Sequence, residues 1–216
     1  MQNNPKIYVM LRFKLILFAI SAVFFAGAQA DIVPIKPGTM IPESNTQLKS
    51  VDGKTTTLKE SMGKNGLIVI FSATTCPFVI GGESFAGWEK DYNSLYESAQ
   101  KTGVNLVLIN SNEAKREGGE SFEDMTQQAK KGEYKMAYLL DKDSKVANAF
   151  NAKATPHVFY FDKTGKLIYE GLIDNSWDIK RKKEETYLLN AIENASAGKK
   201  IDPQQTPAKG CSIKRK

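Results

Sequence analysis

The amino-acid sequence predicts an α/β fold, with a central mixed β-sheet flanked by helices, because strand and helix patterns alternate along the chain. Two continuous apolar runs, at 66–73 and 104–109, are typical of strands that are buried on both faces. A helical pattern follows each run, and two later strand patterns joined by a tight turn precede a last helix. The sequence thus predicts the order β-α-β-α-β-β-α, with an N-terminal β-hairpin before it and an extended C-terminal tail after it.

The elements before residue 131 follow from turn residues and hydrophobic periodicity. Val51–Lys54 contains an Asp-Gly turn and predicts a β-hairpin over 47–60. Large side chains after the first buried strand recur at helical spacing and predict one long helix that ends at Gly103. These side chains are Phe85, Trp88, Tyr92, Leu95 and Tyr96. A shorter amphipathic helix is predicted over 121–131.

The elements after residue 131 are shorter. Ser144 is predicted to cap a short helix, because a serine side chain accepts a hydrogen bond from the free backbone N–H groups of a first helical turn. Asp162–Gly165 is a turn that joins two strands as a hairpin. The predicted elements are a strand over 136–140, a helix over 144–150, strands over 157–161 and 167–171, and a helix over 184–197.

The composition of the 216-residue chain excludes several classes of protein. Two cysteines and one histidine exclude a disulfide-rich scaffold and a Cys/His zinc cluster. The net charge is +6, but three basic side chains fall in the first thirty residues, and the remainder carries 27 basic against 24 acidic side chains. This balance gives little reason to expect a nucleic-acid partner. The sequence predicts neither a metal site nor a bound cofactor.

The first thirty residues have the pattern of an export signal. Arg12 and Lys14 precede an apolar run over 15–25, and small residues ending in Ala28-Gln29-Ala30 follow. The run is shorter than the ~20 residues that a membrane-spanning helix needs, and an uncleaved membrane anchor is the alternative. The mature chain is therefore expected to begin at Asp31, to be periplasmic or secreted, and to have no stable membrane span.

The mature chain is predicted to form one domain with two appendages. Residues 31–46 contain three prolines and indicate an extended N-terminal arm. The domain is predicted to cover 47–200. Residues 201–216 contain two prolines and four basic residues, lack periodicity, and are predicted to form a C-terminal tail.

Cys76 is the main candidate for chemistry, because it lies between the first buried strand and the predicted long helix. The partial positive charge at a helix N-terminus lowers the pKa of a thiol and favours the nucleophilic thiolate. An inert, buried cysteine is the alternative interpretation. In an oxidising compartment, two cysteines in one chain indicate either a disulfide or redox chemistry.

The segment Phe71–Val79, with the sequence FSATTCPFV, resembles the active-site segment of thioredoxin-like proteins. Ala154-Thr155-Pro156 resembles the cis-proline loop of that fold. The ending Gly210–Lys214, with the sequence GCSIK, is similar to the tail of a redoxin branch related to alkyl hydroperoxide reductase and the thiol-specific antioxidants. The resemblance covers about 47–214 and implies a thioredoxin-like fold.

The resemblance also implies which residues act on a substrate. Cys76 is implied as the nucleophile, and the Thr155 backbone as the edge on which an extended substrate pairs as an added strand. The other implied residues are Pro77 and Pro156, which would contact the substrate, and Thr74 and Thr75, which would support the site with their hydroxyls.

The chain departs from both parent mechanisms. Val79 occupies the position of the second thioredoxin cysteine, and Ile70 occupies the position of the buried thioredoxin acid. Ala73 stands where peroxiredoxins place a hydroxyl that contacts the peroxide. The arginine that stabilises the peroxiredoxin thiolate has no evident match among Arg116, Arg181 and Arg215.

Cys211 lies 135 residues after Cys76 and has three interpretations. As a resolving thiol, it would attack the adduct that forms on Cys76. As a structural residue, it would pin the tail to Cys76 through a static disulfide, which for so long a loop stabilises by ~4–5 kcal/mol in the chain-entropy model. It would otherwise stay unpaired or bond to another chain.

Three functional hypotheses follow. The first is an extracytoplasmic thiol-disulfide oxidoreductase in which Cys76 attacks, Cys211 resolves, and an external reductant restores the thiols. The second is a divergent peroxidase that reduces hydroperoxides through a Cys76 sulfenate. The third is a catalytically silent binding module whose proline groove holds a peptide. The sequence favours an enzyme over the binding module.

Overall fold

The computed structural model describes residues 32–216, so the predicted signal peptide lies outside the described residues. Within 32–216, no helix has the length and apolar character that crossing a membrane requires. The strands are β1 (Leu48–Ser50), β2 (Thr55–Thr56), β3 (Gly66–Ser72), β4 (Val104–Asn110), β5 (Ala137–Leu140), β6 (Ala154–Thr155), β7 (His157–Asp162), β8 (Leu167–Gly171) and β9 (Cys211–Ser212). The helices are α1 (Pro77–Ile80), α2 (Tyr92–Lys101), α3 (Phe122–Lys131), α4 (Lys145–Phe150) and α5 (Tyr187–Ser196).

A seven-stranded sheet runs in the order β2-β1-β5-β4-β3-β7-β8. The three central strands, β5, β4 and β3, are parallel, and the strands outside them pair antiparallel. All seven residues of β3 are buried, which explains why its sequence is continuously apolar rather than alternating. A mixed sheet with helices on both faces and a β1–β2 hairpin confirms the predicted α/β fold.

Successive side chains of β3 point alternately into two apolar layers, one on each face of the sheet. Ile68 and Ile70 enter the layer that contains residues of α2, α3 and α5. Leu67, Val69 and Phe71 enter the layer on the other face, which contains α4 and the hairpin. Because the carboxyl end of β3 lies between both layers, the residues that follow it are held on a rigid base.

The predicted long helix after Cys76 is wrong in its first half, whereas its second half is present as α2, which ends shortly before Gly103 as predicted. After Cys76 the chain forms only the four-residue α1, and eleven residues separate its end at Ile80 from the start of α2 at Tyr92. Gly81 and Gly87 explain the break, since both have positive φ angles and the chain folds back tightly between them. A Cβ at Gly87 would lie 2.3 Å from the Gly81 nitrogen, which leaves no space for another residue.

Ser144 does not cap α4 as predicted. Its backbone is left-handed, with φ of 52°, and its hydroxyl donates to the Ser111 carbonyl at 2.6 Å. Asp141 takes the capping role, because its carboxylate accepts from the N–H groups of Val146 and Ala147, both at 2.9 Å. The Ser144 hydroxyl is therefore bound to the loop that follows β4. Asp141, three positions earlier, accepts the hydrogen bonds of the first helical turn instead.

The last helix begins at Tyr187, three residues later than predicted. Asn175 causes the delay by holding the preceding segment in a non-helical conformation. Its amide donates to the Lys183 carbonyl at 2.8 Å and accepts from the Glu185 N–H at 3.0 Å.

Residues 32–46 and 201–216 both pack against the rest of the described chain, and residues 32–46 contain two turns. The N-terminal arm covers the free edge of β8, where Gly38 donates to the Leu167 carbonyl and the Leu167 N–H donates to Thr39. In the tail, Ile201, Thr206 and Ile213 are buried. Near its end the tail forms β9, which pairs antiparallel with β6 in a separate two-stranded sheet.

Candidate active site

Cys76 lies at the carboxyl end of β3, as the N-cap of α1. Its side chain is buried, with 3% of its surface exposed. The thiol donates to the Thr155 carbonyl at 3.1 Å. Since α1 has only four residues, the helix dipole invoked from the sequence is small here. The carbonyl contact, rather than a long helix, is what fixes the sulfur.

Thr155 and Pro156 form the segment opposite Cys76. The peptide bond between them is cis, and both residues are buried. Pro77, the first residue of α1, is exposed beside them. The fold thus brings the Cys76 segment and the proline segment together across 79 residues of chain.

The tail brings Cys211 to the same place. In the β6–β9 pairing, Cys211 is the direct partner of Thr155, and the Thr155 hydroxyl donates to the Cys211 carbonyl at 3.5 Å. Both cysteines are free thiols. Burial is the largest cause that raises the pKa of Cys211, and the hydrogen bond and electrostatic interaction with Cys76 add to it, which brings the pKa to about 11. Cys211 is therefore protonated at neutral pH.

The strand edge predicted for a substrate is thus occupied by the tail of the same chain. β9 adds to β6 as an extended peptide would add to an open edge. Gly210 makes this approach feasible, because a Cβ at this position would lie 2.2 Å from the Thr155 oxygen.

Glu120 fixes the loop that precedes Cys76, and sequence reasoning missed it. This carboxylate is 1% exposed. It accepts from the N–H groups of Thr74 at 3.0 Å and Thr75 at 3.1 Å, and from the Asn110 amide at 2.6 Å. Glu120 lies 45 residues from Thr75 in the chain, and an acid after two glycines in a polar loop carries no signal of this role.

The hydroxyls of Thr74 and Thr75, the candidate supporting groups, are engaged in the same loop. Thr74 donates to the Gly119 carbonyl, and Thr75 donates to Glu120 at 2.5 Å. The hydroxyls therefore tie the Cys76 loop to the segment around Glu120 and are not free to contact a bound peroxide.

The three arginines form contacts away from Cys76. Arg116 donates to Asn110 and to the carbonyls of Glu120 and Asp141, which anchors the Glu120 loop. Arg181 contacts its own surface segment, and Arg215 donates to Asn148 and nearby carbonyls.

Replacing Glu120 with glutamine is expected to destabilise the fold by about 2 kcal/mol, because the new NH2 group replaces one oxygen and leaves one of the two backbone N–H groups without an acceptor. Urea unfolding of E120Q measures the loss. Glu117 is an exposed acid in the same loop, and E117Q is the matched control, with an expected change within about 0.5 kcal/mol. Equal stability of the two variants would contradict the role assigned to Glu120.

His157 and Glu170 form a buried pair beneath the tail. The Nδ1 atom of His157 accepts from the Lys153 N–H at 3.1 Å, so the ring proton sits on Nε2, which faces Glu170. The Gln205 amide donates to the other Glu170 oxygen at 3.2 Å. Burial lowers the pKa of His157, and the contact with Glu170 offsets this only in part.

We expect stability to fall between about pH 7 and pH 5, by at most ~1.4 kcal/mol per pH unit. The pKa of His157 is lowered in the folded state, so the unfolded chain takes up a proton first as the pH falls below about 6.5. Urea unfolding at a series of pH values measures the slope. Because His157 is the sole histidine, H157Q should flatten it, and an unchanged slope would contradict the assignment.

Comparison with known proteins gives a family and a fold. The sequence model of the Redoxin family matches residues 36–188. No curated protein matches the chain. A conserved protein from Geobacillus kaustophilus, described as uncharacterized, is 29% identical with a TM-score of 0.74, over 84% of this chain and 93% of its own.

Two further solved structures agree with this fold. A hypothetical protein from Sinorhizobium meliloti 1021 is 28% identical with a TM-score of 0.74, over 85% of this chain and 97% of its own. The peroxidoxin BcpB from Mycobacterium tuberculosis is 14% identical with a TM-score of 0.53, over 76% of this chain and 97% of its own. At that identity the likeness concerns the fold alone, which confirms the predicted thioredoxin-like architecture.

Proposed function

We propose that this chain, which belongs to the Redoxin family, is a thiol-disulfide oxidoreductase that cycles between two free thiols and a Cys76–Cys211 disulfide. One observation carries the proposal. The β6–β9 pairing sets Cys211 opposite Thr155. The carbonyl of Thr155 accepts a hydrogen bond from the Cys76 thiol. The second cysteine that is missing from the position of Val79 is thus supplied by the tail.

In the first step, the Cys76 thiolate attacks one sulfur of a substrate disulfide. The substrate S–S bond breaks, the leaving sulfur takes up a proton, and a mixed disulfide forms on Cys76. Cys211 does not compete in this step, because its raised pKa keeps it protonated at neutral pH.

In the second step, Cys211 loses its proton and attacks the Cys76 sulfur. The mixed disulfide breaks, the substrate leaves as a thiol, and the protein retains the Cys76–Cys211 disulfide and has given up two electrons. The interaction with the Cys76 thiol group is one cause of the raised Cys211 pKa, and it ends once Cys76 is in a mixed disulfide. Cys211 therefore becomes easier to ionise when it is needed. An external dithiol then restores both thiols.

The peroxidase alternative has less support from the site. Ala73 offers no hydroxyl, Thr74 and Thr75 donate to Gly119 and Glu120, and Arg116 contacts the Glu120 loop. A silent binding module would not require two free thiols on facing segments. The pattern of the first thirty residues supports the further proposal that the protein works in the periplasm or outside the cell.

The test is to oxidise the reduced protein with hydroxyethyl disulfide, block free thiols by alkylation, and map the digested peptides by mass. We expect a linked pair of peptides containing Cys76 and Cys211, which dithiothreitol separates. Alkylation of Cys211 in protein whose Cys76 is already oxidised would overturn the proposal.

A further inference from the structure

A cavity of 280 Å³ borders the residues that flank both thiols. Pro77, next to Cys76 in the chain, lines it on one side, and Lys209, two residues before Cys211, lines it on the other. Its remaining walls include the aromatic rings of Phe78, Phe85 and Trp177. Each of the three rings is half-buried.

The aromatic walls have a rigid support. Phe85 packs edge-on against Trp88 with ring centroids 4.8 Å apart, and Phe78 stacks on the same indole at 6.3 Å. Trp88 is fully buried and donates to Asp174 at 2.7 Å. The aromatic wall beside α1 is therefore held in place by a buried residue.

The cavity is also bordered by two residues with groups that lack a negatively charged or accepting partner among the described residues, Lys209 and Trp177. The Lys209 ammonium lies 4.7 Å from the centre of the Trp177 ring and forms no ion pair with any residue in 32–216. The indole N–H of Trp177 is buried and has no acceptor within the described part of the chain. The acid nearest in sequence to the cavity wall is Glu83, which lies between the lining residues Gly82 and Ser84, is exposed and forms no ion pair with Lys209.

The tail changes how a peptide can be recognised at this site. Because β9 occupies the edge of β6, a peptide cannot gain affinity there by backbone pairing while the tail is docked. Recognition must then come from side-chain contacts next to Cys76. A volume of 280 Å³ is near the lower end for ligand sites and suits a single apolar side chain.

We infer that this cavity binds an apolar side chain of a substrate peptide, next to its disulfide, with an acidic substrate residue facing Lys209. The inference rests on the proposed oxidoreductase function and names its substrate class. The aromatic walls bury the apolar side chain, and the substrate carboxylate supplies the partner that Lys209 lacks.

The test compares four peptides, each with one cysteine in a mixed disulfide with mercaptoethanol. Near the cysteine, the peptides carry Phe or Gly, combined with Asp or Lys. The kcat/KM for reduction of each peptide by the full chain is measured with dithiothreitol as the reductant that restores both thiols, corrected for the rate without protein, and divided by that for hydroxyethyl disulfide. We expect Phe to exceed Gly by about tenfold and Asp to exceed Lys by roughly threefold.

Charge reversal at Lys209 separates the cavity from general electrostatics. K209E should reverse the preference for Asp over Lys, mainly through KM, whereas K163E, in the β7–β8 turn at the opposite end of the sheet, should retain it. Equal normalised rates for all four peptides would overturn the cavity assignment and leave the oxidoreductase standing. Failure of the protein to reduce hydroxyethyl disulfide would instead remove the proposed function, and with it this inference.

Discussion

Replacement of Cys211 by serine is expected to stop turnover and to leave the substrate attached to Cys76 through a mixed disulfide. The first step uses Cys76 alone, so it survives the change. The second step loses its intramolecular thiol, and an external thiol at low concentration must act instead. We expect turnover to fall by about a hundredfold, which is the usual scale of an effective-concentration advantage.

Intact-mass measurement after addition of a peptide disulfide detects the trapped species. C211S should gain the mass of one peptide, and C76S should gain it far more slowly, because burial, the largest cause of the raised Cys211 pKa, persists in that variant. C76S is the matched control, since it also leaves one cysteine in the chain. Normal turnover by C211S, together with a lower Tm, would identify a static disulfide and contradict the resolving role.

The elements that sequence reasoning predicts best are those whose signal is local. The predicted strand over 167–171 coincides with β8, and the predicted strand over 66–73 differs from β3 by one residue. A strand that is buried on both faces needs apolar residues at every position, so it can be recognised from its own sequence without knowledge of distant contacts. The prediction of a long helix failed because Phe85 and Trp88 have helical spacing but lie in an irregular loop, from which their side chains pack against each other.

The candidate site was predictable only in part, for the same reason. Cys76 and Thr155 lie next to buried strands, so the sequence pattern and the resemblance locate both. The β9 strand has two residues and no periodicity, and its partner lies 56 residues away. Glu120 is likewise defined by contacts with a distant loop. Such contacts have no counterpart in a local pattern.

The docked tail connects the two halves of the proposed cycle. The edge of β6 holds Cys211 beside Cys76 in the reduced protein, so the resolving thiol is present before substrate arrives. The same occupation closes that edge to a peptide backbone. A protein built this way gains fast resolution and relies on side-chain contacts for substrate recognition.

Replacement of Gly210 by alanine is expected to slow formation of the Cys76–Cys211 disulfide by about a hundredfold, without any change to either thiol. The added Cβ would lie 2.2 Å from the oxygen and 2.7 Å from the carbon of Thr155. Both are backbone atoms of β6, which cannot move aside, so β9 must detach. Cys211 then becomes a tethered thiol on a free tail and no longer faces Cys76.

Quenched alkylation at successive times after oxidation with hydroxyethyl disulfide measures this rate in G210A. Gly118 is the matched control, because a Cβ there meets its nearest neighbour at 3.5 Å and G118A should form the disulfide at the wild-type rate. The initial attack by Cys76 should persist in G210A, so mixed disulfide should accumulate before it resolves. If G210A closes the disulfide as fast as G118A, strand pairing does not position Cys211, and the tail reaches Cys76 by diffusion alone.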